Sequence, residues 1–74
     1  MNVSEKLKRA RLARFWSQDE LAQQSGVSRI TIHRLENGQT APYGKTVRSL
    51  ARALGIEPTE LATPDELAES KNAA

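Results

Sequence analysis

The chain contains no cysteine, few aromatic residues and no long apolar segment. The absence of cysteine excludes a disulfide framework and a thiolate metal site. No segment approaches the roughly 20 apolar residues of a membrane-spanning helix, and no part has the pattern of a signal peptide. The expected compartment is therefore a reducing cytoplasm, and no membrane partner is expected.

The residue patterns of enzymes are also missing. The sequence has no paired-carboxylate site, no nucleophile with an adjacent base and no glycine loop that would cradle a phosphate. The single histidine, His33, has no second ligand at metal-binding spacing. A chain of 74 residues is also too short to enclose a substrate pocket. We expect no catalysis, no cofactor, no metal and no small-molecule ligand.

Charge is divided along the chain. Residues 1–54 carry ten lysines and arginines and four acids, a net charge of +6, whereas residues 55–74 carry one lysine and five acids, a net charge of −4. A basic body with an acidic end indicates a polyanionic partner for the body. An ordinary solvated surface would also explain the basic charge, so charge alone does not establish nucleic-acid binding.

Residues 17–38 carry the most specific local pattern. Ser17 and Glu20 form a predicted capping box that begins a helix, with Trp16 and Leu21 placed as a hydrophobic staple. Gly26 follows where this helix must stop and reverse, because glycine adopts a left-handed backbone without steric cost. The pattern predicts one short helix followed by a tight corner.

A second short helix follows the corner, with Ser28 as its cap and Ile32 and Leu35 facing inward. It is predicted to end near residues 37–38. Its outer face combines guanidinium groups, small donors and one branched apolar side chain, an unusual set for a merely solvated helix. This face consists of Ser28, Arg29, Ile30, His33, Arg34 and Asn37.

Helical patterns flank this pair on both sides. Residues 4–14 predict a basic amphipathic helix capped by Ser4, and residues 46–55 predict a core-forming helix that stops at Gly55. The apolar residues available to the core are Val3, Leu7, Ala10 and Leu12 in the first, and Val47, Leu50, Ala51 and Leu54 in the second. Pro58 predicts the start of a short fifth helix, and residues 63–66 predict one or two further turns before a frayed end at 71–74.

Two short helices joined at a glycine corner resemble the helix-turn-helix of the phage-repressor/Cro-like (XRE-type) family. The matching positions are Gln18, Leu21-Ala22, Gly26-Val27, Ile32, Leu35-Glu36 and Asn37-Gly38, and the resemblance runs from Lys6 to Leu61. It implies an all-α, compact, lambda-repressor-like bundle of about five short helices. We expect the DNA-binding domain at residues 1–62 and a short acidic helix or tail at residues 63–74.

The family pattern implies two further features near the first helix. Arg11 is expected to pair with Glu36, which stands at a helix carboxyl end where a carboxylate needs a cation nearby. The family usually has a turn-tolerant residue where this chain has Phe15. A bulky aromatic residue avoids a positive φ, so the connection is expected to have a different length or shape. Trp16 is expected to cover the core.

The resemblance implies recognition of double-stranded DNA by the helix at residues 28–36, lying in the major groove. Arg29 is the first choice to read a base, because its planar fork matches the two acceptors of guanine. Ser28, Ile30 and Arg34 are further base readers, with Ile30 suited to a thymine methyl. Phosphate contacts are expected from Gln18, Asn37, Gln39, Thr40 and Lys45.

Proteins of this kind usually bind as homodimers on half-sites about 34 Å apart, which predicts a palindromic operator and a repressor. The expected setting is a bacterial nucleoid or a phage-encoded regulator. An antitoxin-type module and a protein-protein adaptor use the same fold and remain open alternatives. Residues 63–74 could support a dimer, be disordered or mark the boundary of a longer protein.

Overall fold

The computed structural model describes residues 1–68 of the 74-residue chain. This part contains four α-helices, α1 (Val3–Ala13), α2 (Gln18–Ser25), α3 (Arg29–Glu36) and α4 (Gly44–Leu54), and two single 3₁₀ turns at Pro58–Glu60 and Pro64–Glu66. Helix α3 packs against α1 and α2, while α4 packs against α2 and the first 3₁₀ turn. The all-α prediction is confirmed, with four α-helices rather than about five.

Helix α1 begins earlier than predicted. Its N-cap is Asn2, whose side-chain oxygen accepts the N–H of Glu5, while the hydroxyl of Ser4 donates to the same oxygen. The cap predicted at Ser4 is therefore wrong, because Asn2 supplies an acceptor two residues upstream. Leu7 is fully buried, but Leu12 is half exposed, so the prediction that Leu12 joins the core is also wrong.

Each α-helix within residues 1–68 is followed, one or two residues after its last, by a residue of positive φ. Three of these are glycines, Gly26, Gly38 and Gly55, and the fourth is Phe15 at a φ of 58°. The Phe15 N–H donates to Leu12 and the Trp16 N–H donates to Arg11, which is the hydrogen-bond pattern of a Schellman motif. The expectation that Phe15 would avoid this conformation is wrong, because the motif requires it at the end of α1.

The corner between α2 and α3 forms as predicted. Ser17 and Glu20 make a complete capping box, and Gly26 adopts a left-handed φ of 78° after α2. Ser28 then caps α3 by accepting the N–H of Thr31. The two helices are thus fixed at a defined angle by local hydrogen bonds at both sides of the glycine.

The buried core lies where the helices meet. Its apolar members are Leu7, Leu21, Ile32, Leu35, Val47, Leu50, Ala51, Leu54, Leu61 and Ala62. Trp16 packs against this cluster while partly exposed, which confirms its predicted covering role. The four predicted core residues of α4 are all buried, because they recur at helical spacing on one face.

After α4, the chain forms two short turns that close one end of the core. The predicted fifth helix is a single 3₁₀ turn at Pro58–Glu60, and residues 64–66 supply one further 3₁₀ turn. The Ala68 N–H donates to the Pro42 carbonyl at 2.8 Å, which fastens this segment to the loop before α4. The frayed end predicted at 71–74 lies outside the described residues. Within residues 1–68, no helix is both long and apolar enough to cross a membrane.

Candidate nucleic-acid interface

The outer surface of α3 exposes the side chains that were predicted from the sequence to read bases. Ser28, Arg29, Ile30 and Arg34 are all exposed, and Ile30 is 58% accessible despite its branched apolar side chain. Buried Ile32 and Leu35 hold the opposite side of the helix against the core. The rigid core therefore fixes the direction in which this surface points.

Two of these residues make local contacts. The Ser28 hydroxyl accepts the Thr31 N–H at 3.1 Å and donates to the Thr31 hydroxyl at 2.8 Å, so it serves first as the cap of α3. The Nε atom of Arg29 lies 3.2 Å from the Oδ1 atom of Asp19 on α2. Both side chains of this ion pair remain largely in solvent.

The carboxyl end of α3 brings Arg34 and Asn37 toward the following loop. Arg34 and Thr40 line a cavity of about 220 Å³ between α3 and the start of α4. The Asn37 side-chain amide donates to the His33 carbonyl at 2.9 Å and contacts His33 Nε2 at 3.0 Å. The side chain of Asn37 is therefore ordered at the surface, although much of its donor capacity is already used within α3.

The loop after α3 carries the remaining phosphate-binding candidates. Gln39, Thr40 and Lys45 are exposed, with Lys45 in the first turn of α4. The Gln39 main-chain N–H donates to the Arg34 carbonyl at 2.9 Å. This bond uses the main-chain N–H within the end of α3, so a phosphate contact of Gln39 would be made by its exposed side chain.

A buried polar network lies behind the surface and includes Gln18. Arg11 donates to both carboxylate oxygens of Glu36, at 2.7 and 2.9 Å, and also to the Trp16 carbonyl at 2.7 Å. The Gln18 amide donates to the same carboxylate at 3.1 Å. Hydrogen bonding to Glu36 raises the pKa of Arg11 above its ordinary value. The network ties α1 and the start of α2 to the end of α3.

Two contacts in this region were not expected from the sequence. Asp19 pairs with Arg29, and the Gln18 side chain, expected at a phosphate, donates to Glu36. The only sequence signal for the first contact is the position of Asp19 and Arg29 in the first turns of α2 and α3. The second contact depends on how closely the start of α2 approaches the end of α3.

The comparisons with known proteins agree with this geometry. The profile of the helix-turn-helix family HTH_3 matches residues 7–61. The chain belongs to this XRE-type helix-turn-helix family. This family consists of DNA-binding, non-enzymatic transcription regulators, so the ligand class of the protein is double-stranded DNA. No curated protein matches the chain.

Three solved structures illustrate the likeness of this helix-turn-helix protein to known regulators. The restriction-modification controller protein C.AhdI from Aeromonas hydrophila is 37% identical, with a TM-score of 0.76 over 80% of this chain and 89% of its own. The DNA-binding domain of the P22 C2 repressor is 27% identical, with a TM-score of 0.78 over 89% and 87% of the two chains. An HTH_3 family transcriptional regulator from Vibrio cholerae is 29% identical, with a TM-score of 0.76 over 80% of this chain and 33% of its own.

Proposed function

We propose that this protein is a transcription repressor that binds a palindromic operator as a homodimer. In this proposal, α3 of each subunit lies in the major groove of one half-site, and the half-sites are about 34 Å apart. The likeness to a phage repressor domain and to a restriction-modification controller protein supports a regulatory role. One domain of this size contacts few base pairs, so two copies would supply the required specificity.

The exposed side of α3 is the observation that carries the proposal. Arg29 offers paired donors to the O6 and N7 atoms of guanine, and Ile30 offers an apolar surface to a thymine methyl. Arg34 lies about one turn further along α3 and reaches a base or a phosphate. Ser28 caps the helix and also offers its hydroxyl group to a base. An Ile side chain that is 58% exposed beside an arginine fits a base-reading surface.

Phosphate contacts on both sides of α3 would set its register in the groove. Gln18 stands at the amino end of α2, where main-chain N–H groups and the helix dipole favour an anion. On the other side, Asn37, Gln39, Thr40 and Lys45 form the second contact region. Arg11, Glu36 and Gly26 have a structural role in this proposal: they fix the positions of the two contact regions and do not contact DNA.

Selection of bound duplexes from a random DNA pool tests the proposal. The selection is run at two salt concentrations with the wild type, Arg29→Ala and Arg52→Ala, in which the last removes an exposed arginine from the end of α4. We expect a palindromic motif for the wild type and Arg52→Ala. Arg29→Ala should lose guanine preference at one symmetric pair of positions, a loss of about 1 to 3 kcal/mol.

The alternatives predict different outcomes of the same selection. A single asymmetric half-site bound with full affinity by one chain would overturn the dimer, and sedimentation of the complex gives the number of chains per duplex. Steep salt dependence without any motif would identify a non-specific basic surface. In that case, the protein-protein adaptor or antitoxin-type module becomes the better explanation of the fold.

A further inference from the structure

We propose that Asp19 is a specificity-determining residue that positions the guanidinium group of Arg29 for guanine and disfavours non-specific DNA. The inference rests on the proposed role of Arg29 as a base reader. It assigns to Asp19 no contact with a base. Asp19 would act through Arg29 and through the charge that it places on the DNA-facing surface.

The first support is the geometry of the Asp19–Arg29 pair. Asp19 is the second residue of α2 and Arg29 is the first residue of α3, so both side chains are carried by helices that pack against each other. Arg29 Nε is 3.2 Å from Asp19 Oδ1, and the two side chains are 57% and 75% exposed. An ion pair so exposed adds little to folding stability. The contact nevertheless biases the Arg29 side chain toward the orientation in which Nε faces Asp19.

The second support is the shape of the guanidinium group. It is planar and carries five N–H donors, and the Asp19 carboxylate lies beside Nε, on one side edge of the group. The terminal edge still has one N–H on each of its two nitrogens. These are the donors that a bidentate contact to guanine O6 and N7 requires. Asp19 can therefore hold Arg29 without competing with guanine for the same donors.

Holding the fork in one direction reduces the entropy lost when DNA binds. A free arginine side chain samples many rotamers, and ordering one such side chain at an interface lowers affinity. Without Asp19, the Arg29 side chain would also reach phosphate oxygens, which carry no sequence information. The pair therefore favours the one orientation in which Arg29 distinguishes bases.

The negative charge of Asp19 has a separate effect on the phosphate backbone. Asp19 directly follows Gln18, a candidate phosphate contact, so its carboxylate lies near the expected path of the backbone. A carboxylate there repels phosphates in every sequence context. The repulsion weakens binding to every DNA sequence. Only at the correct site does the contact of Arg29 with guanine offset this repulsion.

The experiment measures binding to the selected operator, to an operator changed at the Arg29-dependent base pair and to an unrelated duplex. The variants are Asp19→Asn, Asp19→Glu and the control Glu5→Gln, which removes the same charge from the first turn of α1. Asp19→Asn and Glu5→Gln are also made in the Arg29→Ala background. Each affinity is measured over a range of salt concentrations.

We expect Asp19→Asn to lower discrimination at that base pair about two- to fivefold, the most that an exposed ion pair contributes to orienting one side chain. Binding to the unrelated duplex should tighten. The slope of its log affinity against log salt concentration should steepen by about the amount that one phosphate contact adds. Asp19→Glu should restore most of the discrimination, because it retains the carboxylate. In the Arg29→Ala background, Asp19→Asn should leave discrimination at that position unchanged.

Three results would overturn the inference, and they separate it from the proposed function. If Asp19→Asn discriminates as well as the wild type and Glu5→Gln, Asp19 has no positioning role, while Arg29 remains a base reader. If Asp19→Asn lowers discrimination equally in the Arg29→Ala background, Asp19 does not act through Arg29. If Arg29→Ala itself retains full discrimination, the proposed reading residue is wrong and the role of Asp19 fails with it.

Discussion

Arg11 and Glu36 form a two-point ion pair that joins α1 to the carboxyl end of α3. Their nitrogen–oxygen distances are 2.7 and 2.9 Å, and their side chains are only 9% and 3% exposed. A carboxylate at a helix carboxyl end is disfavoured by the macrodipole unless a cation is close. Arg11 is that cation, and the pair fixes the end of the helix that carries the proposed base readers.

Glu36→Ala should therefore lower the free energy of unfolding by about 3 kcal/mol, because it leaves the Arg11 guanidinium buried without its counter-charge. Urea denaturation measures the loss. The double replacement Arg11→Met with Glu36→Met should recover part of it, because it removes the unpaired buried charge but leaves the Trp16 carbonyl and the Gln18 amide without these partners. A loss below about 1 kcal/mol for Glu36→Ala would mean that the pair is screened by solvent.

Phe15→Gly should stabilise the protein by about 1 kcal/mol. The left-handed conformation of Phe15 is strained for a side-chain-bearing residue, and the residue is 92% exposed, so little buried area is lost. Thermal and urea unfolding measure the gain.

The matched control for this change is Gly26→Ala, because Gly26 has the same left-handed backbone conformation as Phe15. Open space surrounds the added methyl group at Gly26, so only the φ of +78° opposes it. This control should destabilise the protein by about 1 kcal/mol. A destabilised Phe15→Gly variant would contradict the argument from strain and indicate that the phenyl ring supports the fold.

Ile30→Ala should change the free energy of unfolding by less than about 0.5 kcal/mol, because its side chain is largely exposed. It should weaken binding to the selected operator by about 1 kcal/mol through loss of an apolar contact with a thymine methyl. Replacing that thymine with uracil removes the methyl and should remove the difference between the variant and the wild type. A large decrease in the free energy of unfolding would instead show that Ile30 supports the fold rather than the DNA interface.

The cap of the second 3₁₀ turn should depend on pH. The Thr63 N–H donates to the Glu66 carboxylate at 2.8 Å, and this hydrogen bond lowers the pKa of Glu66 below 4.5. Because the pKa of Glu66 is lower in the folded state, its ionised carboxylate stabilises the turn at pH values above the unfolded-state pKa. This stabilisation is lost as pH falls through the folded-state pKa. NMR titration should show the Glu66 side chain and the Thr63 amide changing together below pH 4.5. Glu66→Gln should abolish this change at Thr63.

The sequence predicted the corner and its support well because the responsible interactions are local. Ser17, Glu20 and Ser28 form hydrogen bonds within three residues of themselves, and Gly26 meets a backbone requirement that glycine satisfies most easily. Helical spacing likewise identified the inward residues of α3 and α4. The base-reading assignments and the dimer remain proposals, because they concern contacts with another molecule.

The sequence by itself determined the helix boundaries at the corner, the core-facing residues of α3 and α4, and the family, since each depends on short-range patterns. Only the tertiary structure revealed that Asp19 meets Arg29 and that Gln18 joins the Arg11–Glu36 network, because these residues are brought together by packing between helices. It also decided the conformation of Phe15. The two main-chain hydrogen bonds of the Schellman motif and the packing of Trp16 outweigh the intrinsic preference of an aromatic residue for negative φ.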